Sequence, residues 1–176
     1  MNVSGWQKPL AGKSKIQHIL KGKKVSESRL TLTQLMGVDA ANTLGHVHGG
    51  AIMKLSDEAG GIAAARHARQ PCVTVAIDSM TFHSPIHIGN LVTVQAEVTW
   101  TGRSSIETRV IVTAEDVMTG KVTHTNTAYI VYVALGEDGR PSQVPEIIRQ
   151  NDEEEARFAR AAERQKSRLA SKKKNL

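Results

Sequence analysis

One carboxylate, Asp57, falls inside the run Gly49-Gly50-Ala51-Ile52-Met53-Lys54-Leu55-Ser56-Asp57-Glu58-Ala59-Gly60-Gly61-Ile62-Ala63-Ala64-Ala65. An ionisable group among small and apolar residues is costly unless it is paired or used. On a helix its neighbours three, four and seven places away are Gly50, Met53, Lys54, Gly60, Gly61 and Ala64, and only Lys54 is charged. Two readings follow. Asp57 is a buried acid paired with Lys54 or with backbone amides, or it is a carboxylate beside a cleft that takes a proton from water. Asn42, in the loop before this run, carries an amide that can donate to a carbonyl and accept from a water, or that only shapes its loop. Gly49 and Gly50 open the helix, where unpaired amides favour negative charge, as an oxyanion hole requires. The turn Gly102-Arg103-Ser104-Ser105 offers a guanidinium, hydroxyls and amides suited to a phosphate, or is an ordinary polar hairpin tip.

Other chemistries find less support. His46 and His48 sit two apart, with Asp39 and His67 as further donors, but the spacing is not that of a metal site, and no metal is expected. The single Cys72 cannot form an internal disulfide, fits a reducing compartment, and has no paired base to make it a nucleophile. The net charge of +6 is concentrated in the two ends. Residues 1–30 hold seven Lys/Arg against one Glu, residues 149–176 nine against five acids, and residues 31–148 seven against eleven. A core that is net acidic, with six aromatic residues and none in a basic cluster, is not expected to bind nucleic acid. No apolar run approaches the ~20 residues that span a bilayer, and no apolar stretch follows the basic start as in a signal peptide.

These residues need elements to position them. Residues 1–25 carry six Lys and no acid and read as a flexible basic leader. Ser26 to Met36 reads as a first strand, and 37–50 as a loop. Gly49 to His67 reads as a helix apolar on nearly every side, hence buried all round, ended by Arg69, Gln70 and Pro71. Cys72 to Phe82 alternates, with Val73, Val75, Ile77 and Ser79 on one face and Thr74, Ala76, Asp78 and Met80 on the other. Leu91–Trp100, Ser105–Ala114 and Val122–Leu135 are further strands joined by short turns, which impose antiparallel pairing. The expectation is an α+β domain over residues 26–145, a five-stranded antiparallel meander curved around one long helix. Residues 146–176 read as a charged helix, acidic at its start and basic at its end as the helix dipole favours, lying against the domain or fraying.

The pattern Asp39-x-x-Asn42-x-x-Gly45-x-Val47-His48-Gly49-Gly50, followed by Met53-Lys54-Leu55-x-Asp57-Glu58-Ala59-Gly60, resembles the hotdog-fold acyl-CoA thioesterases. Within them it is most similar to the cytosolic, brain-type acyl-CoA hydrolases and their bacterial single-domain relatives. The likeness runs on through Asp78-x-Met80-x-Phe82-x-Ser84-Pro85-Ile86-x-x-Gly89 and covers residues 27–145. The tail Glu154-Glu155-Ala156-Arg157-Phe158 also resembles the C-terminal extension of the animal enzymes, which join two hotdog domains where this chain has one. At the position of His46 many relatives have Asn or Asp.

The resemblance implies a hotdog helix wrapped by its sheet, two hotdogs paired into one continuous sheet, and sites at their interface. It implies a homodimer, or a trimer of such dimers, acting on an acyl-CoA with no metal or bound cofactor; coenzyme A enters only as part of substrate and product. Asp57 would activate water. Asn42 of the partner subunit would orient the water or the carbonyl. The amide of Gly50, with that of Gly49, would hold the oxyanion. Arg103, Ser104 and Ser105 would meet the coenzyme A phosphates. The expected setting is cytoplasmic, with mitochondrial as the alternative, although the leader lacks the Arg that mitochondrial signals favour. Two other readings keep the fold: a thioester hydratase or dehydratase using His48, or Asp78 and His83 five residues apart, and a non-catalytic acyl-CoA binder. An odd spacing on a strand sends Asp78 and His83 to opposite faces. The presence of both Asn42 and Asp57 argues for turnover.

Overall fold

A computed structural model describes residues 20–174, with side chains through Ser171. In chain order the elements are β1 (Lys23–Lys24), a 3-10 turn (Val25–Glu27), β2 (Leu30–Leu35), a second 3-10 turn (Val38–Ala40), α1 (Gly49–Ala68), β3 (Cys72–Phe82), β4 (Leu91–Thr101), β5 (Ser105–Asp116), β6 (Lys121–Ala134), β7 (Ile147–Ile148) and α2 (Asp152–Lys174). Residues 1–19 of the expected leader lie outside the described residues. Lys23 and Lys24, also assigned to it, instead belong to the fold: they pair in parallel with β7. The Lys23 ammonium donates to the carbonyls of Arg66 and His67, both at 2.9 Å, capping the C-terminus of α1. The first strand is shorter than expected because Val25–Glu27 curls into its turn, with the Lys24 amide donating to Glu27 Oε2 at 2.8 Å.

The five long strands form one antiparallel sheet in the order β2-β4-β5-β6-β3. This is not a simple meander. Only β4, β5 and β6 follow one another; β3, the first strand after the helix, lies at the far edge beside the last. The apolar face of the sheet takes α1 as its cover. Ile52, Ala59, Ala63 and Ala64 of the helix are buried in one cluster with Val92, Val94, Val98, Ile106, Val110 and Ile130. The helix is not buried all round. Its other side is open in the single chain, with Met53 and Ile62 each 42% exposed and Lys54, Glu58 and Arg66 in solvent.

Strand β3 breaks the simple alternation. Its register against β6 shifts between Thr74 and Ala76 and again between Ile77 and Ser79, so Val75 and Asp78 are bulged out of the ladder. Thr74, Ile77, Met80 and Phe82 therefore pair with Tyr132, Ile130, Ala128 and Asn126, alternate residues of β6 that face α1. This corrects the expected faces: Thr74 and Ile77 share a side instead of opposing one another.

The outer face of the sheet carries buried acids on β4 and β5 that α2 covers. Glu97 meets Arg157 at 3.1 Å and Arg109 at 2.8 Å. Glu107 meets Arg164 at 2.7 Å and accepts from Thr99 Oγ1 at 2.8 Å. Arg168, farther along α2, reaches Asp78 at 3.0 Å. The C-terminal helix thus lies against the domain, crossing from β4 to the edge strand β3.

Candidate active site

Asp57 sits two turns into α1, half-buried, where the helix passes β3 and β6. Thr74 Oγ1 of β3 donates to Asp57 Oδ1 at 2.7 Å. Tyr132 Oη of β6 donates to the same oxygen at 3.2 Å and to the main-chain carbonyl of Asp57 at 2.9 Å. Oδ2 takes no hydrogen bond among the described residues. Lys54 turns to Glu58 at 3.7 Å, so the reading of an internal pair with Lys54 does not hold. Tyr132 can come this close because residue 60 is glycine; a Cβ there would stand 2.5 Å from Tyr132 Oη and 2.8 Å from Thr108 Oγ1. Burial pushes the Tyr132 phenol far above its ordinary value, and the neighbouring Asp57 charge adds to this, so Tyr132 is a proton donor at any working pH. Burial likewise holds the Cys72 thiol up at about 11, which leaves it unreactive.

The second part of the site is the loop before α1. The Asn42 side-chain oxygen accepts from the amides of Leu44 at 2.9 Å and His46 at 3.1 Å. Gly45, at φ +77°, turns the chain and donates to the Asn42 carbonyl at 3.1 Å. The loop-shaping role considered for Asn42 is therefore real, and it has a chemical consequence. Two N–H donors fix which way the carboxamide points, leaving Nδ2 with no acceptor among the described residues. Asn42, His46, Val47, Gly49, Ile52, Phe82 and Pro85 line an open cleft of about 290 Å³ at the start of the helix.

At that start the two glycines differ. The Gly50 amide donates to His48 Nδ1 at 2.8 Å, so His48 is the N-cap and Gly50 is already satisfied. The Gly49 amide has no acceptor among the described residues. Of the two amides expected to face an anion, that of Gly50 is therefore engaged within the chain and that of Gly49 is the one left without a partner among the described residues. His46 packs edge-on against His87, ring centroids 4.9 Å apart. Asp78 is engaged by Arg168 and His83 stacks on His124 at 5.9 Å, so the Asp78–His83 pair of the hydratase reading is not assembled.

The Arg103 turn lies at the opposite end of the chain's own sheet from Asn42. Ser105 pairs with Val133, next to Tyr132, which puts this turn on the Asp57 side. Arg103 is exposed, and Ser104 and Ser105 are half-buried. Asn42 and Asp57 of one chain are kept apart: from Gly49 to Asp57 is about 12 Å along the axis at ~1.5 Å per residue. Thr74 and Tyr132 are the Asp57 partners that sequence reasoning missed. The β3 bulges hid Thr74 behind the wrong face, and Tyr132 is 75 residues from Asp57 in the chain.

The family model described as the thioesterase superfamily matches residues 44–121. The chain is 37% identical over 136 residues to the cytosolic acyl coenzyme A thioester hydrolase of Mus musculus, a match covering 76% of this chain and 36% of that protein. It therefore spans only about a third of that relative's length. An apo-hexameric acyl-CoA thioesterase superposes with a TM-score of 0.82 at 32% identity, covering 86% of this chain and 97% of the other. The acyl-CoA hydrolase of Staphylococcus aureus, solved with butyryl coenzyme A, coenzyme A and coenzyme A disulfide, superposes with a TM-score of 0.80 at 30% identity, covering 87% of this chain and 93% of the other. That hydrolase has also been solved with an asparagine, an aspartate or a threonine replaced by alanine. Fifteen residues separate its asparagine from its aspartate and seventeen its aspartate from its threonine, the spacings of Asn42, Asp57 and Thr74 here. With the wrapped helix, the antiparallel sheet and these matches together, the chain belongs to the thioesterase superfamily and has its hotdog fold.

Proposed function

We propose that this protein hydrolyses the thioester of an acyl-coenzyme A, with Asp57 as general base and Asn42 of a partner subunit beside it. The observation that carries the reading is the set of three, Asn42, Asp57 and Thr74, with Thr74 bound to Asp57 at 2.7 Å. Their spacings match those of the three residues altered in the S. aureus hydrolase. Thr74 and Tyr132 occupy Oδ1, so Oδ2 takes the proton from water. The water oxygen attacks the carbonyl carbon. The carbonyl oxygen becomes an oxyanion that the Asn42 Nδ2–H and the Gly49 amide receive as donors. Collapse breaks the carbon–sulfur bond, and the thiolate of coenzyme A leaves with the proton returned from Asp57. A thioester carbonyl is electrophilic enough that this needs no metal or bound cofactor.

The need for a second copy follows from the separation of Asn42 and Asp57 along α1. The free edge of the sheet supports it: Val73, Val75, Ile77 and Phe82 of β3 are 39–54% exposed, an apolar edge that a second β3 in antiparallel register would cover. Such a pair carries two equivalent sites, and three pairs make the hexamer named for one solved relative. Arg103, Ser104 and Ser105 are our candidates for the coenzyme A phosphates, on the Asp57 side of the site. The name of the mouse relative supports a cytoplasmic setting. The test is thiol release from acyl-CoAs of graded chain length. Asp57→Asn should lower kcat by about 10²–10⁴. A variant that turns over a saturating acyl-CoA at the parent rate would refute the assignment.

A further inference from the structure

We infer that Tyr132 is a positioning residue for this reaction, acting only through Asp57. The inference rests on the reading of Asp57 as the base. A single donor bridges two acceptors on one residue: Tyr132 Oη reaches the Asp57 carbonyl at 2.9 Å and Asp57 Oδ1 at 3.2 Å. Main chain and side chain are tied to one point, which fixes the rotation of the carboxylate relative to the helix. Thr74 Oγ1 holds the same Oδ1 at 2.7 Å from the edge strand. Two hydroxyls on one oxygen leave the other, which takes no hydrogen bond among the described residues, as the base.

The surroundings are built for this contact. Tyr132 is buried to 1% exposure, so no water competes for its hydroxyl. Gly60 supplies the gap, since a methyl there would stand 2.5 Å from Oη. A phenol used only for packing has no need of a helix glycine directly above its oxygen. Tyr132 does not touch the reacting atoms; its effect on rate passes through the orientation of Asp57.

The test separates positioning from mere support. Tyr132→Phe keeps the ring and removes the donor. We expect kcat to fall by on the order of tenfold to a hundredfold, as for a base set slightly out of line, with KM within about twofold. Gly60→Ala, which retains the hydroxyl but displaces it, should give the same split and serves if Tyr132→Phe does not fold. The deciding arm is the Asp57→Asn background, where Tyr132→Phe should cause no further loss of the residual rate, because its only route of action is gone. A folded Tyr132→Phe with kcat within about twofold of the parent overturns the inference, and so does an equal fractional loss in both backgrounds. If Asp57→Asn alone keeps full activity, the reading of Asp57 falls first and the inference with it.

Discussion

The two ends of the Asn42 carboxamide differ: the oxygen closes the loop on the amides of Leu44 and His46, and the nitrogen has no acceptor among the described residues. This division makes a sharp substitution available. Asn42→Asp keeps the acceptor that folds the loop but puts a second, charged oxygen where the donor was. We expect an unchanged melting temperature and a loss of about 10²–10³ in kcat, the cost of removing one oxyanion donor. A parallel experiment concerns Thr74. Thr74→Ser retains the hydroxyl on Asp57 Oδ1 and should retain most of the activity. Thr74→Val keeps the shape, loses the donor and should lower kcat with little change in KM. Steady-state kinetics on a single acyl-CoA distinguishes the pair; equal rates for Ser and Val would show that the 2.7 Å contact plays no part.

The two helices show different ways of anchoring an element. The last turn of α1 is held by Lys23 on its carbonyls and by the buried His67, whose Nε2 lies 3.0 Å from the Pro145 carbonyl. Burial lowers the affinity of His67 for a proton below its ordinary value of 6.5; the hydrogen bond to the Pro145 carbonyl and the Glu27 charge oppose it, and the Lys23 charge acts with it. The folded protein therefore keeps His67 neutral where the unfolded chain has begun to protonate it. Stability falls as pH drops below about 6.5 and levels off once the pH passes the lowered folded value. The slope for one proton is up to about 1.4 kcal/mol per pH unit. Denaturant melts between pH 7 and 5 should show His67→Gln losing less stability over that range than the parent. The second helix, α2, is held through the outer face of the sheet. Glu107 is 1% exposed at its side chain and depends on Arg164 and Thr99. Arg164→Ala leaves that buried carboxylate with only the longer contact to Arg168, at 3.9 Å, and should destabilise the fold by up to about 3 kcal/mol, the low end of the cost of a buried charge stripped of its partner. Thermal melting reads it, and a shift of less than a degree would show that α2 carries no load there.

At the scale of the whole molecule, the paired site proposed above makes the single chain half of a working unit. Its edge strand presents Val73, Val75, Ile77 and Phe82 to solvent, α1 leaves Met53 and Ile62 open on the same helix that carries Asp57, and Asn42 and Asp57 lie in different parts of one chain. The second copy proposed above would answer all three at once. The consequence is complementation. Asn42→Ala and Asp57→Asn proteins should each be nearly inactive, yet a mixed pair rebuilds one whole site, from the Asp57 of one chain and the Asn42 of the other. If subunits re-pair at random, half the dimers are mixed and each holds one of two sites, so about a quarter of parent activity should return. Mixing after reversible dissociation tests this directly, and no recovery would place both residues in the same chain's site.

Much of this was legible in the residue order because it depends on local rules. Glycines before an apolar run, with Arg69 and Pro71 behind it, bound α1 at Gly49 and within a residue of its end. Alternation placed β3 at Cys72–Phe82, and short polar turns placed the strands that follow. Asp57 stood out because a lone acid in a small, apolar helix asks for a purpose, and Asn42 because its motif resembles a known family. Tertiary structure decided what depends on pairing between distant segments. The bulges at Val75 and Asp78 exist only against β6, and they turn Thr74 toward α1. Tyr132 finds Asp57 only because β6 runs beneath the helix and Gly60 lets it approach. That the Gly50 amide is taken up and the Gly49 amide is not depends on the rotamer of His48, which no periodicity encodes. Periodicity and turn chemistry act over a few residues along the chain, whereas register and hydroxyl contacts are set by which strands meet across space.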